Sequence, residues 1–201
     1  MKKAGIIVIA VLVVLLGISF GLNLKQNAER SNARLYLLSS VNACFVNISV
    51  ELDKVISGVE NGTTTSNYNR DTLLRISDYL YKADTLLTQY HYSRPSAGLK
   101  YTAVYNFGFI ASTMGFGSGT ANDIRFNCIL YDDEISDSEI LYLTALRDDI
   151  TRLTDSMQSS ENPPNENKNL TITQLNNILS GFFDTWSYYN EDSPYYLLRS
   201  E

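Results

Sequence analysis

A chain of 201 residues, 44% hydrophobic and 19% charged, has the balance of a folded protein and excludes a disordered or low-complexity one. Its formal net charge of −6 falls to −9 beyond residue 25, where 13 basic residues face 22 acidic ones. Such a surface repels phosphate backbones and anionic headgroups, which argues against nucleic acid as a partner.

The first predicted element is residues 4–24. They carry no charge, and Gly5 to Phe20 is almost entirely Ile, Val, Leu, Ala and Gly. About 20 helical residues cross the ~30 Å hydrocarbon core of a bilayer. Lys2 and Lys3 precede the run and Lys25 closes it. A core helix of a soluble protein would not be apolar on every side over this length, so the run reads as a transmembrane helix. Gly17 and Ser19 offer a small-x-small cleavage site, but Phe20-Gly-Leu-Asn-Leu extends the apolar run past it. The expectation is an uncleaved signal-anchor over residues 1–25, followed by one domain over residues 26–201. Lys2 and Lys3 on so short a tail place the N-terminus in the cytoplasm, and a long C-terminal domain translocates largely regardless of its charge. The chain is thus expected to be a single-pass protein of the cell membrane, with its domain outside the cytoplasm.

The helix is expected to continue past Lys25, since no Pro or Gly interrupts residues 25–57. Leu38, Val41, Phe45, Ile48, Leu52, Val55 and Val59 recur at spacings of three and four, a coiled-coil-like seam. The spacing leaves open whether this seam self-associates or packs within its own chain. Gly58 and the polar run from Asn61 to Asn67 end it. A second helix is predicted from about Asp71 to His91, with the seam Leu73, Ile76, Leu80, Ala83, Leu87 and Tyr90; Arg94-Pro95 stops it. Residues 97–116 read as a central helix through Leu99, Ala103, Phe107, Ile110 and Met114, apolar on most sides, with a strand as the alternative. Gly115 to Gly119 marks a loop, and a short helical piece follows around Asp123 to Tyr131.

The last two helices open with capping boxes. In Ser136-Asp-Ser-Glu139 the hydroxyl accepts the third helical amide while the Glu side chain reaches back; Thr171-Ile-Thr-Gln174 repeats the device. Leu143, Leu146, Ile150, Leu153 and Met157 form one seam; Ile178, Phe182, Phe183, Trp186 and Tyr189 form the next. A polar connector, Ser159 to Asn169, separates them. The predicted fold class is all-α: an N-terminal transmembrane helix continuous with an antiparallel helical bundle.

No residue set assembles into a catalytic, metal or cofactor site. His91, the single histidine, lies at a helix C-terminus, where it complements the carbonyl dipole. Cys44 and Cys128 match no zinc spacing and read as free buried thiols, with one bridge open in an oxidising compartment. Gly115-Phe-Gly-Ser-Gly lacks the first glycine of a nucleophile elbow and the Lys-Ser/Thr pair of a P-loop. Asp148-Asp149 reads as solvated surface. The chain is accordingly expected not to be an enzyme and to use no cofactor. Its compositional oddity is 14 Tyr, a residue suited to interfaces by its area, few torsions and polar tip. Tyr79, Tyr90, Tyr92, Tyr101, Tyr105, Trp186 and Tyr189 form the candidate surface for a partner or ligand.

The order of a short apolar anchor, the long helix Arg34-Leu-Tyr-Leu-Leu to Leu52, and the helix Leu73-Leu-Arg-Ile-Ser to Ala83 resembles the N-terminal region of the YpeB family. So do the aromatic stretch Val104-Tyr-Asn-Phe-Gly-Phe and the helix opening with Ser136-x-x-Glu139-x-x-x-Leu143. The resemblance covers residues 1 to about 158. It implies a non-enzymatic envelope protein of spore-forming bacteria that helps localise or restrain a cell-wall hydrolase. Family members carry a further C-terminal region of repeated small domains, which these 201 residues do not include. From the residues themselves, the leading expectation is an interaction or regulatory module with an unidentified envelope protein. The alternative is a small-ligand sensor that signals through a membrane partner.

Overall fold

A computed structural model describes residues 2–63, 65–101, 106–116, 128–131, 134–159, 167–187 and 189–198. Five α-helices run in chain order: α1 Lys2–Glu60, α2 Ser66–Ser93, α3 Phe107–Phe116, α4 Asp137–Met157 and α5 Ile172–Thr185. The fold is all-helical. Among the described residues there is no strand, and the one bridge-like contact is Asn167 N–H donating to the Met157 carbonyl at 3.0 Å. The chain divides into two compact units, Met1–Tyr36 and Leu37–Glu201.

The first unit is helix α1 up to Tyr36. From Leu12 onward nearly all of its side chains are exposed, including the apolar ones. Among the described residues α1 is the one helix long and apolar enough to cross a membrane.

In the second unit the predicted seams form the core. Leu38, Val41, Phe45, Ile48, Leu52 and Val55 of α1 are buried, so this stripe finds its partners within its own chain. The α2 seam from Leu73 to Tyr90 and the α4 seam from Leu143 to Met157 are buried in full. Phe107, at the start of α3, joins them: its ring lies 4.9 Å from Phe45, 5.1 Å from Phe182 and 5.0 Å from Phe183. Polar pairs at the margin tie α1 to its neighbours. Ser49 meets Thr151 at 3.0 Å, Asp53 meets Arg147 at 3.7 Å, and Glu51 accepts from Arg75 at 2.9 Å.

Helix boundaries follow local chemistry. Thr65 caps α2 through the Tyr68 amide, so the helix starts at Ser66 rather than near Asp71. Both predicted capping boxes are formed, at Ser136/Glu139 and Thr171/Gln174. The central helix is shorter than its periodicity suggests. Pro95–Ala97 makes one 3-10 turn, and Gly98 takes the left-handed conformation at φ 77°, which a side chain would strain. Leu99 to Tyr101 is therefore non-helical. Among the described residues helix resumes at Phe107, where the Asn106 side chain accepts the Phe109 amide at 2.7 Å. Of the short helical piece expected around Asp123 to Tyr131, residues 128–131 are described, with Ile129–Tyr131 forming a 3-10 turn. The loop beyond Phe116 and most of the connector before α5 lie outside the described residues.

Glu51 gives the fold an acid-sensitive tie. Partial burial works against its charge, but hydrogen bonds and charge from Lys54 and Arg75 outweigh it and hold the carboxyl below its usual range. A depressed folded-state pKa means the stabilisation is complete above the unfolded value near 4.5 and fades as pH falls through the folded one. Glu51→Gln is expected to cost about 0.5–1 kcal/mol at neutral pH, since Lys54 and Arg75 are substantially solvated. Urea titrations of the two chains should converge well below pH 4.5.

Candidate functional site

The seven candidate residues fall into separate environments. Tyr90, Tyr101 and Trp186 are buried, Tyr79 is half-buried, and Tyr92 and Tyr189 are exposed; Tyr105 lies outside the described residues. Trp186 belongs to an aromatic cluster that the sequence did not single out. Its indole stacks parallel to Phe182 at 5.9 Å and meets Tyr142 and Tyr195 edge-on, each at 5.3 Å. Tyr195 is carried by the short 3-10 helix Pro194–Leu198, which docks on α4. Burial pushes the phenols of Tyr142 and Tyr195 far above their ordinary range, so both stay protonated.

Asp149 is the acceptor at the centre of this cluster. It is buried, takes the Trp186 indole N–H at 2.8 Å and pairs with Arg152. The expectation of a solvated Asp148-Asp149 pair therefore holds only for Asp148, which is exposed beside Arg147. Adjacent helical residues point in different directions, and a tryptophan some 37 positions later draws one of the two inward.

Tyr101 has a second, separate role. Its hydroxyl donates to Asp84 of α2 at 2.7 Å and accepts the Phe107 amide at 3.2 Å, fixing where α3 starts. Burial, and then Asp84, raise the phenol far above its usual range and keep it a donor. Gly108 allows this close approach, because a side-chain carbon there would sit 3.1 Å from the Asp84 carboxylate. Tyr101→Phe leaves Asp84 and the Phe107 amide each short of a partner. It is expected to cost about 1–3 kcal/mol in chemical unfolding followed by circular dichroism.

His91 is held structurally: Nδ1–H donates to the Leu99 carbonyl at 2.6 Å, pinning the segment after α2 back onto the helix end. Cys44 and Cys128 are both free. Cys44 is buried, and burial pushes its thiol up; Cys128 donates to the Gly115 carbonyl at 2.8 Å. Among the described residues no cluster of His, Cys, Asp and Glu is arranged to hold a metal ion.

A cleft of about 570 Å³ lies between α5 and the extended segment Gly98–Tyr101. One amide joins its two walls. Asn176 Nδ2 donates to the Gly98 carbonyl and Asn176 Oδ1 accepts the Lys100 amide, both at 2.8 Å. Leu179, Phe183 and Tyr101 supply apolar surface; Thr173, Asn177, Ser180 and Asp184 follow one another along the open face of α5. Of the seven candidate residues only Tyr101 lines this cleft. The signal that could have found it is the spacing 173, 177, 180, 184, 187, which is helical yet carries Thr, Asn, Ser, Asp and Ser with no basic residue.

No protein-family model, curated protein or solved structure matches the chain.

Proposed function

We propose that the chain is a membrane-tethered helical module that sits outside the cytoplasm and holds or regulates an envelope protein, with no chemistry of its own. One observation carries the membrane tether. Leu12, Val13, Val14, Leu15, Leu16, Ile18, Phe20, Leu22 and Leu24 are each more than half exposed on a single helix. Burying nine such side chains is worth roughly 10–20 kcal/mol, and hydrocarbon is the medium that offers it. Lys2 and Lys3 are nearly balanced by Lys25, Arg30 and Arg34 across the span, so the orientation rests on the short charged N-terminal tail typical of a signal-anchor. The domain is read as an antiparallel bundle. Support comes from the register of cross-helix pairs: as α1 advances from Ser49 to Asp53, its partner on α4 retreats from Thr151 to Arg147. Exposed Tyr92 and Tyr189 are the aromatic side chains best placed to meet a partner.

The decisive experiment fuses a protease-cleavable tag to the C-terminus and treats intact cells with protease. A chain that sediments with membranes, resists carbonate extraction and loses its tag supports the tether and its orientation. A soluble chain, or a tag that survives until cells are lysed, overturns them. Crosslinking in the same cells then tests the module. One envelope protein should recur in near-equal amount and be lost with Tyr92→Ala and Tyr189→Ala; its absence defeats the partner reading.

A further inference from the structure

We propose that the cleft between α5 and Gly98–Tyr101 binds a neutral saccharide. The inference does not depend on the membrane tether or on an envelope partner.

The exposed face of α5 is chemically unlike those of its neighbours. The outer positions of α2 carry Arg70, Asp71, Asp78 and Lys82, and those of α4 carry Asp137, Asp148, Arg152 and Asp155. Alternating charges of this kind are the ordinary way a helix meets water. Facing the cleft, α5 instead presents Thr173, Asn177, Ser180 and one acid, Asp184. The single cation on the opposite wall is Lys100, so the site is close to electrically balanced within a domain of net charge −9. A strongly charged ligand finds no counter-charge cluster here.

These side chains are also unspent. Several helical hydroxyls, Thr72, Thr113, Thr154 and Ser156 among them and Thr185 at the end of α5, turn back onto the carbonyl four residues earlier. Among the described residues the side chains of Thr173, Asn177, Ser180 and Asp184 make no hydrogen bond or ion pair. They offer a row of donors and acceptors, including a planar amide and a planar carboxylate suited to paired hydroxyls. Their backing is fixed rather than pliable. Asn176 spends its amide clamping Gly98 and Lys100, while Phe183 is wedged against Phe107, Phe182 and Tyr101. A volume of about 570 Å³ falls within the range of small-ligand sites. Neutral hydrogen-bonding groups along one wall and Leu179, Phe183 and Tyr101 beneath match a sugar, which has a hydroxylated rim and an apolar ring face. An extended peptide fits less well, because Asn176 already occupies the Gly98 carbonyl and the Lys100 amide that would pair with it.

The test uses the full chain in lipid nanodiscs, free of glycoside detergent, titrated with maltotriose, with triacetylchitotriose and with trialanine. Saturable one-to-one binding of a saccharide is expected by calorimetry, with none for trialanine. Ser180→Arg, at an exposed position, should abolish it by filling the cleft. Asn177→Ala should weaken it about tenfold, the loss of one well-placed hydrogen bond. Tyr92→Ala, outside the cleft, should bind as the parent does. Circular dichroism checks that the variants keep their helix content; if Ser180→Arg does not, Asn177→Ala decides alone. Binding of neither saccharide, binding of trialanine instead, or saccharide binding indifferent to these substitutions would overturn the proposal.

Discussion

Trp186→Ala is expected to lower the stability of the helical unit by about 3–5 kcal/mol, read from urea unfolding at neutral pH. Two losses combine. The indole is the hub of the cluster formed with Phe182, Tyr142 and Tyr195, and its removal leaves a cavity among side chains fixed by other contacts. Asp149 is also left buried with Arg152 as its remaining partner and one oxygen without its donor. The two terms can be separated. Trp186→Phe keeps most of the apolar volume and removes only the N–H, so it should cost about 1–3 kcal/mol. Combining it with Asp149→Leu should cost less than the sum of the two single changes, because an apolar pair leaves nothing unpaired. Additive losses would show that the indole–carboxylate bond is not a coupled unit.

Phe107→Ala should be comparably damaging, at about 3–5 kcal/mol. No part of this ring reaches solvent, and it touches residues from α1 and α5 at once. Its loss should also loosen Phe183, which the ring supports from behind and which forms part of the cleft floor. Phe107→Leu keeps apolar bulk and should fall well short of the alanine variant. Equal effects would mean that volume here matters less than the aromatic packing.

The parts of the fold that depend on near neighbours were readable from the sequence. A capping box is a contract between residues three apart, and both of those predicted are formed. The α1, α2 and α4 seams repeat every three or four residues, and every seam position is buried except Val59, which is half-buried where α1 ends. What failed was decided by distant residues. The run from Leu99 has helical spacing, but Gly98 turns the chain and Leu99 to Tyr101 follow it as non-helical backbone, so the periodicity begins before any helix does. The seam through Trp186 to Tyr189 likewise outruns its helix: α5 ends at Thr185, and Tyr189 stands exposed. Asp149 was misread because nothing within a helical turn announces an indole donor 37 residues away. Tyr195 and Leu198, buried by a short 3-10 helix, carry no periodic signal at all. The tyrosine-rich composition drew attention to residues that mostly serve the core, while the cleft is written in Thr, Asn and Ser. Those residue types look the same in a binding groove and on plain surface.

The single amide of Asn176 does for Gly98–Lys100 what a neighbouring strand would do, and it lies 76 to 78 positions downstream. During synthesis that fact sets a timetable. The segment leaves the ribosome with α1 and α2 already complete, yet water must satisfy its polar backbone until α5 has also emerged. Closure over so long a span comes late, because chain entropy is surrendered before the contact returns anything. The domain cannot finish folding piecemeal from its N-terminus. A nascent chain stalled before residue 176 lacks the amide that clamps Gly98 and Lys100, which makes completion of that wall a natural marker of a finished molecule.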